Sequence, residues 1–350
     1  MAPNSIPVDR VRIFGRDGYP LIEFRTRVER SYAIADEARA QFTYATRKTE
    51  IVNKVALNFG NWLLVENDSL PPWVGVIDTP RSWNPRSVTV SAYSPEKVFS
   101  WRRGPTEVVR RGSAGDIFSY LLTLVNSAER TIITEGDIDR SGIRREETIN
   151  PTPLNEDLAR IQERSQEEYQ WRPIVGADGK LRVFVDWMNR VGQTTSALLQ
   201  EGKGGGNVEM VDALFVEDGE IRNDILGYGD GITWKSRPKI PIVDADSIGE
   251  FGLRESSEFF QGVTNVPTLK ANTRDAIAKF KNPVRNMKLR AINLGDTFKF
   301  INLGNIMALS LQSMGFQTGG VGYETNVRIM GMAYNPGSKN KIDLIVEVID

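Results

Sequence analysis

The side chains that most often carry enzyme chemistry are missing from this chain, which has no histidine and no cysteine. Without an imidazole, no side chain with an ordinary pKa near neutrality serves as general base, and the commonest metal ligand is lost. Without a thiol there is no thiolate nucleophile, no disulfide framework and no thiolate metal site. Ser-His-Asp and Cys-His arrangements and His-bearing zinc sites are therefore ruled out. Carboxylates remain, and Asp137/Asp139, Glu146/Glu147 and Asp186 beside Trp187 are the kind of pair that a glycan hydrolase needs. With 45 acidic residues in 350, such neighbours arise by chance, and ordinary surface charge accounts for them better than catalysis. No catalytic residue is assigned.

Binding motifs fare no better. Asp244-Ala245-Asp246 begins like a calcium loop, but its fifth position is Ile248, which has no oxygen to offer. The stretch KGGGN at 203–207 lacks the Lys-Ser/Thr end of a phosphate loop, and Gly227, Gly229 and Gly231 lack dinucleotide-binding spacing. Neither a metal nor a cofactor is expected. Arg274, Lys279, Lys281, Arg285, Lys288 and Arg290 crowd one segment against Asp275, with Phe280 as the sole aromatic. That is too little stacking surface for a single-stranded nucleic acid, so a face turned to solvent or to another subunit is the better reading. Arg102, Arg103, Arg274, Lys279 and Arg285 are taken as candidate interface charges. Trp73, Trp83 and Trp101 are candidate sugar-stacking platforms, although core or interface anchors explain them better.

Lys and Arg number 44 against 45 acids, a net charge of −1, which argues against wholesale binding to nucleic acid or a membrane surface. Hydrophobic residues at 40% and charged residues at 25% are those of a soluble globular protein. At ~150 residues per domain the length suggests two or three domains. No stretch approaches the ~18 apolar residues of a membrane helix. The opening MAPNSIPVDRVRIF lacks the charged start and apolar run of a secretory signal.

The elements that would position any site are mostly strands. Residues 11–14, 21–25, 41–44 and 87–91 alternate or are β-branched, and Asp17-Gly18 sits between the first two as a hairpin turn. Residues 53–65 alternate less cleanly, and 73–77 read as a continuous apolar strand. Helical spacing takes over at 112–127, where Ile117, Leu121, Leu124 and Val125 share a face and Ser113 with Asp116 resembles a capping box. Residues 129–168 carry eleven acids against six arginines, first as a loop to Pro153 and then as a helix from 154 to 169. A hairpin follows over 169–187 about Asp178-Gly179, with strands at 208–216 and 224–227 and polar loops through Pro241. A helix is expected over 271–281, ended near Pro283, and strands over 289–293, 297–302, 305–312, 324–334 and 341–348. The fold class is therefore β-rich α+β. A first β domain occupies 1–111, an α/β insertion 112–220, and a second β-rich domain 221–350.

In their order along the chain, several of these segments resemble the tail hub proteins of tailed bacteriophages and of contractile injection systems. The segments are Leu70-Pro71-Pro72-Trp73-Val74-Gly75-Val76-Ile77, the strand of 87–100 with its arginine-rich link into Gly112-Ser113-Ala114-Gly115-Asp116-Ile117, Trp171 with Asp178-Gly179-Lys180-Leu181-Arg182-Val183, and the terminal hairpin from Val327 to Leu344. Residues 220–285 match this pattern poorly.

The resemblance implies two tube-type β-barrel domains in each chain and a homotrimer in which six such barrels form a ring. It implies a structural virion protein at the tail tip or baseplate, assembled in the host cytoplasm and without a reaction of its own. Its partners would be a tail tube or distal tail protein above, a tip or fibre protein below, and the tape-measure protein in the channel, with DNA only in transit and no membrane binding. The end at Val348-Ile349-Asp350, directly after the last strand, implies a hub without a fused peptidase, lysozyme or fibre. Asp68, Pro71 and Pro72 in one loop, and Gly319, Gly320 and Gly322 in another, are the candidate docking elements. The opposite charges of 129–168 and 274–290 would suit complementarity between subunits. Two other readings stand beside the hub: a carbohydrate-binding tail-tip module, and a carboxylate-dependent cell-wall glycan hydrolase using acids such as Asp137 and Asp186.

Overall fold

The computed structural model describes residues 8–34, 37–45, 56–84, 86–202, 206–210, 216–218, 221–233, 235–294, 297–312, 322–338 and 340–349. The chain opens with β1 (Asp9–Phe14), β2 (Pro20–Thr26), β3 (Val28–Ala33), β4 (Arg39–Ala45), β5 (Trp62–Glu66), β6 (Trp73–Asn84) and β7 (Ser87–Tyr93). All pair antiparallel, in the order β3-β4-β7-β6-β5-β1-β2. The turn between β1 and β2 needs the φ of +84° that Gly18 supplies without steric cost. Side chains close the curl where hydrogen bonds do not: Phe24 of β2 sets its ring 4.7 Å from that of Tyr44 and 5.7 Å from that of Phe42 in β4.

An α/β unit follows, with α1 (Glu96–Ser100), β8 (Val108–Gly112), α2 (Ala114–Ala128), β9 (Ile133–Ile138), β10 (Arg145–Ile149), α3 (Leu154–Ser165), β11 (Glu168–Val175) and β12 (Leu181–Met188). The capping box at the start of α2 forms as its sequence predicts: Ser113 Oγ accepts from Asp116 N–H, and the Asp116 carboxylate accepts from Ser113 N–H. The second helix is shorter than expected. Gln166 turns left-handed at φ +58° and ends α3 at Ser165, which releases Glu168 and Tyr169 into β11. The acidic stretch read as a loop holds β9, parallel to β12, and β10, antiparallel to β8. Its alternating charges escape a hydrophobic search because one face of β9 stays in water.

The rest of the chain adds β13 (Thr194–Gln200), β14 (Val208–Met210), β15 (Val216–Asp218), β16 (Asp224–Tyr228), β17 (Lys239–Val243), α4 (Ala245–Phe251), β18 (Glu255–Phe259), α5 (Val266–Phe280), β19 (Val284–Ile292), β20 (Ile306–Leu311), β21 (Tyr323–Tyr334) and β22 (Lys341–Ile349). Strands β16 to β18 form a separate small sheet on which α5 packs. That helix starts five residues before the expected one, because Asn265 caps the Thr268 N–H and Pro267 fits the first turn. The strand expected over 297–302 is instead a 3-10 turn at Thr297–Phe300, held where Asn293 Oδ1 accepts from Phe298 N–H at 3.2 Å.

One pairing unites the two β regions. Strand β21 runs antiparallel to β3, with Gly331 to Tyr334 opposite Ala33 to Arg30, so the regions form one 14-stranded sheet over a shared hydrophobic core. In β5, Leu63 and Val65 enter this core while Trp62 and Leu64 enter that of the α/β unit. This is why residues 62–65 are apolar without a break where a loose alternation was expected: both faces of the strand are buried. At the joint, Arg30 and Asp9 pair at 2.9 Å with both side chains fully buried. Asp9 also accepts from Val28 N–H and Asn67, and Arg30 Nε donates to Tyr32 Oη.

Removing one partner of a buried pair leaves an uncompensated charge and costs about 3–5 kcal/mol. Asp9→Ala or Arg30→Ala should therefore lower stability by about that much in urea unfolding. The double replacement by apolar residues should cost less than the two single changes summed. Additive losses would show that the pair is not coupled.

Candidate assembly surface

The loop of 66–72 is presented by a built anchor. Asn67 Nδ2 donates to Asp9 at 3.0 Å, Ser69 N–H donates to Asn67 Oδ1 at 2.8 Å, and Tyr32 O–H donates to the Pro71 carbonyl at 2.7 Å. Asp68 and Pro72 stand exposed and Pro71 half-buried on this tether. Gly319 and Gly320 lie outside the described residues. Gly322 is left-handed at φ +88° and leads into β21. Among the described residues, β2 pairs with β1 alone and β13 with β20 alone. Such edges carry backbone groups that a neighbouring chain can meet, and Leu21, 39% exposed, lies on the β2 edge.

Two of the candidate interface charges form ion pairs within the chain. Arg102 meets Glu129 at 3.1 Å, and Lys279 meets Glu163 at 3.0 Å. The backbone of Arg103 bridges to Pro153, and Arg285 lies in β19 opposite Glu217. Arg274 is exposed on α5 and makes no ion pair among the described residues. A buried Arg145 joins the two regions further, at 3.1 Å from Asp275 and 3.5 Å from Asn272 Oδ1. Burial pushes the Asp275 carboxyl up, against the pull of Arg145. Arg145 with Asp275, and Lys279 with Glu163, thus hold α5 against the α/β unit within one chain.

A second tie was not foreseen from the sequence. Arg328 of β21 grips the Glu168 carboxylate with both terminal nitrogens, one at 2.7 Å, and also donates to the carbonyls of Val191 at 2.9 Å and Gly304 at 3.3 Å. Arg328 is 3% exposed. Bidentate geometry fixes orientation as well as distance, so this contact sets the α/β unit against the C-terminal strands. Nothing in the spacing of Glu168 and Arg328, 160 residues apart, signals it.

The acids weighed for hydrolysis are structural in part. Burial works to raise the Asp186 carboxyl, but Arg172 at 2.9 Å and the Asp137 backbone N–H at 2.9 Å outweigh it and hold the group below the usual range. A carboxylate held ionised in this way suits an anchor and not a general acid. Asp137 meets it through its backbone N–H. Trp73 is buried and donates its indole N–H to the Ser31 carbonyl, so it is a core residue and not a sugar platform. The Trp83 side chain lies outside the described residues. Trp101 is half-exposed at the end of α1. Among the described residues no cluster of acids is arranged to hold a metal ion, and no helix is long and apolar enough to cross a membrane.

Between the loop of 66–72 and the α/β unit lies Glu96, which accepts from the Trp171 indole N–H at 2.6 Å while its second oxygen is buried without a partner. Burial pushes its carboxyl up from 4.5, outweighing the hydrogen bonds from Ser94 and Trp171. The folded state therefore favours the protonated form. That stability is fully present below the unfolded pKa near 4.5 and is lost as pH rises through the higher folded value. Glu96→Gln, neutral at every pH, should flatten the loss of stability above pH 4.5 in urea unfolding measured against pH. Equal slopes in variant and parent would contradict this.

No family model and no curated protein sequence matches the chain. Solved structures do. A prophage tail protein, gp18 of Listeria monocytogenes EGD-e, superposes with a TM-score of 0.60 at 11% identity, over 97% of this chain and 94% of that one. A tail protein from Neisseria meningitidis MC58 gives 0.60 at 12% identity, over 97% and 96%. The E. coli c3393 protein is a type VI secretion component described as structurally similar to the T4 tail proteins gp27 and gp5. It gives 0.51 at 9% identity, over 98% of this chain and 74% of that one. At these identities the likeness is one of fold, and it spans nearly the whole chain. The resemblance read from turns and strands is borne out at that level: this chain has the fold of phage tail proteins.

Proposed function

We propose that the chain is a structural protein of a phage tail, the hub of its tip or baseplate, and that it works through contacts and not chemistry. The observation that carries this reading is the near-complete match to tail proteins of similar length, together with the single sheet that binds the two β regions into one body. In this reading three copies form a ring to which each contributes both β regions, each as a tube-type barrel. The ring joins a six-fold tail tube or distal tail protein to a three-fold tip or fibre protein. The channel passes the tape-measure protein and then DNA, and the chain resides in the virion tail tip.

The geometry supports it in two ways. Among the described residues the sheet leaves β2 and β13 each paired on one side, which suits lateral contact between copies. The loop bearing Asp68, Pro71 and Pro72 is tied to the buried Arg30–Asp9 pair, so a partner bound there would meet a preorganised surface. The interior ties of Arg102, Lys279 and Arg145 leave Arg274 as the candidate charge on α5 open to a neighbour.

Native mass measured over a range of concentrations should show a species near three times 39.2 kDa, and negative-stain images of it should show a ring with a central hole. A monomer at every concentration, with no ring, would overturn the trimer. Leu21→Lys places a charge on the β2 edge, where a cationic side chain opposes edge pairing. It should shift the trimer toward monomer while leaving the unfolding midpoint within the small range of a surface change. An unchanged assembly would remove β2 from the interface.

A further inference from the structure

Where β1, β5 and β6 meet the end of α1 and the start of the β9 segment, the surface opens into a cleft of about 350 Å³. That volume is at the lower end of the ~300–1,000 Å³ range of small-molecule sites. Its walls combine two kinds of group. Phe59 and Trp101 present aromatic rings, 40% and 39% exposed. Around them stand Arg16, Arg130, Asp78 and Glu129.

These groups are held in place, yet several retain binding capacity. Arg81 lies 4.7 Å from the Phe59 ring and Arg16 donates to the Phe59 carbonyl at 3.1 Å, which steadies that wall. Gly60 at φ +83° lets the Arg16 guanidinium lie against the backbone, since a Cβ there would come within 2.8 Å of its Nε. Glu129 is fixed by Arg102 at 3.1 Å. By contrast, the Trp101 indole N–H and the Arg130 guanidinium have no hydrogen-bond or ion-pair partner among the described residues. Asp78 accepts from Thr79 N–H through one oxygen only.

We infer that this cleft binds a saccharide of one or two pyranose rings. A pyranose has an apolar C–H face that stacks on an aromatic ring and an equatorial belt of hydroxyls that both donate and accept. Trp101 and Phe59 supply the stacking surface, the Trp101 N–H and Arg130 donate, and Asp78 and Glu129 accept. Acids and bases together match neutral hydroxyls better than they match an anion, which the two carboxylates would repel. The site is non-catalytic, and it does not depend on how copies of the chain assemble.

Glucose, galactose, N-acetylglucosamine and their β-linked disaccharides are the probes. Binding to the full chain is read by saturation-transfer NMR and by tryptophan fluorescence, in the parent and in Trp101→Ala, Trp101→Phe and Arg130→Ala. At least one sugar should bind. Its affinity should fall by about tenfold or more in Trp101→Ala, as expected for a lost stacking partner, and less in Trp101→Phe. Arg130→Ala should also weaken it. All four proteins are first compared by circular dichroism and thermal unfolding, and if Trp101→Ala fails to fold, the Phe and Arg130 variants carry the test. No binding to any probe at about 10 mM, well above a millimolar Kd, would overturn the inference. Binding that is the same in every variant would overturn it equally, as would fluorescence that changes with protein concentration but not with sugar.

Discussion

The molecule turns on four residue pairs between β21 and β3, which convert two β regions far apart in the chain into one sheet. Backbone pairing alone would leave such a joint free to slip, because register in a sheet is set by which face each side chain takes. Here the register is locked by chemistry. Arg30, opposite Tyr334, is buried against Asp9 of β1 and lies 4.9 Å from the Tyr334 ring. A one-residue slip of β21 would carry Tyr334 to the other face and away from the Arg30 guanidinium, so that contact acts as a key for the joint.

From that joint the rest of the architecture follows by shared burial. Strands β5 and β6 give one face to the core of the large sheet and the other to the α/β unit, where Phe118, Tyr169 and Trp187 stack. Gly75 is required in β6 because a side chain there would meet the Tyr93 carbonyl at 2.2 Å. The α/β unit is then pinned to β21 by Arg328 and Glu168, and α5 is pinned to it by Arg145 and Asp275. Arginine serves at each of these ties because its planar fork can satisfy several acceptors while remaining charged in a desolvated place.

The same arrangement explains why a chain without histidine or cysteine is no poorer for it. Several of its carboxylates are engaged in ties, caps and ion pairs: Asp186 on Arg172, Glu168 on Arg328, Asp116 in a capping box. On the surface, the aromatic cleft of Phe59 and Trp101 also leaves polar groups open.

Local elements were legible in the sequence wherever their signal is local. The hairpins at Asp17-Gly18 and Asp178-Gly179, the capped helix after Ser113 and the terminal strands follow from turn chemistry, capping and period. The order of these elements was enough to point to the tail-protein fold. Strand β3 was not legible: VERSYA carries two charges, and Arg30 is a core residue only because Asp9 reaches it across the sheet. Likewise, only folding decided that Arg145 meets Asp275 and Lys279 meets Glu163 within one chain. The cleft gathers residues from 16 to 131, and Glu168 is 160 positions from Arg328. The sequence by itself determined what each segment could become, since propensity and turn geometry act over a few residues. The tertiary structure decided which polar groups are buried and which stay open, because that depends on contacts between segments remote in the chain.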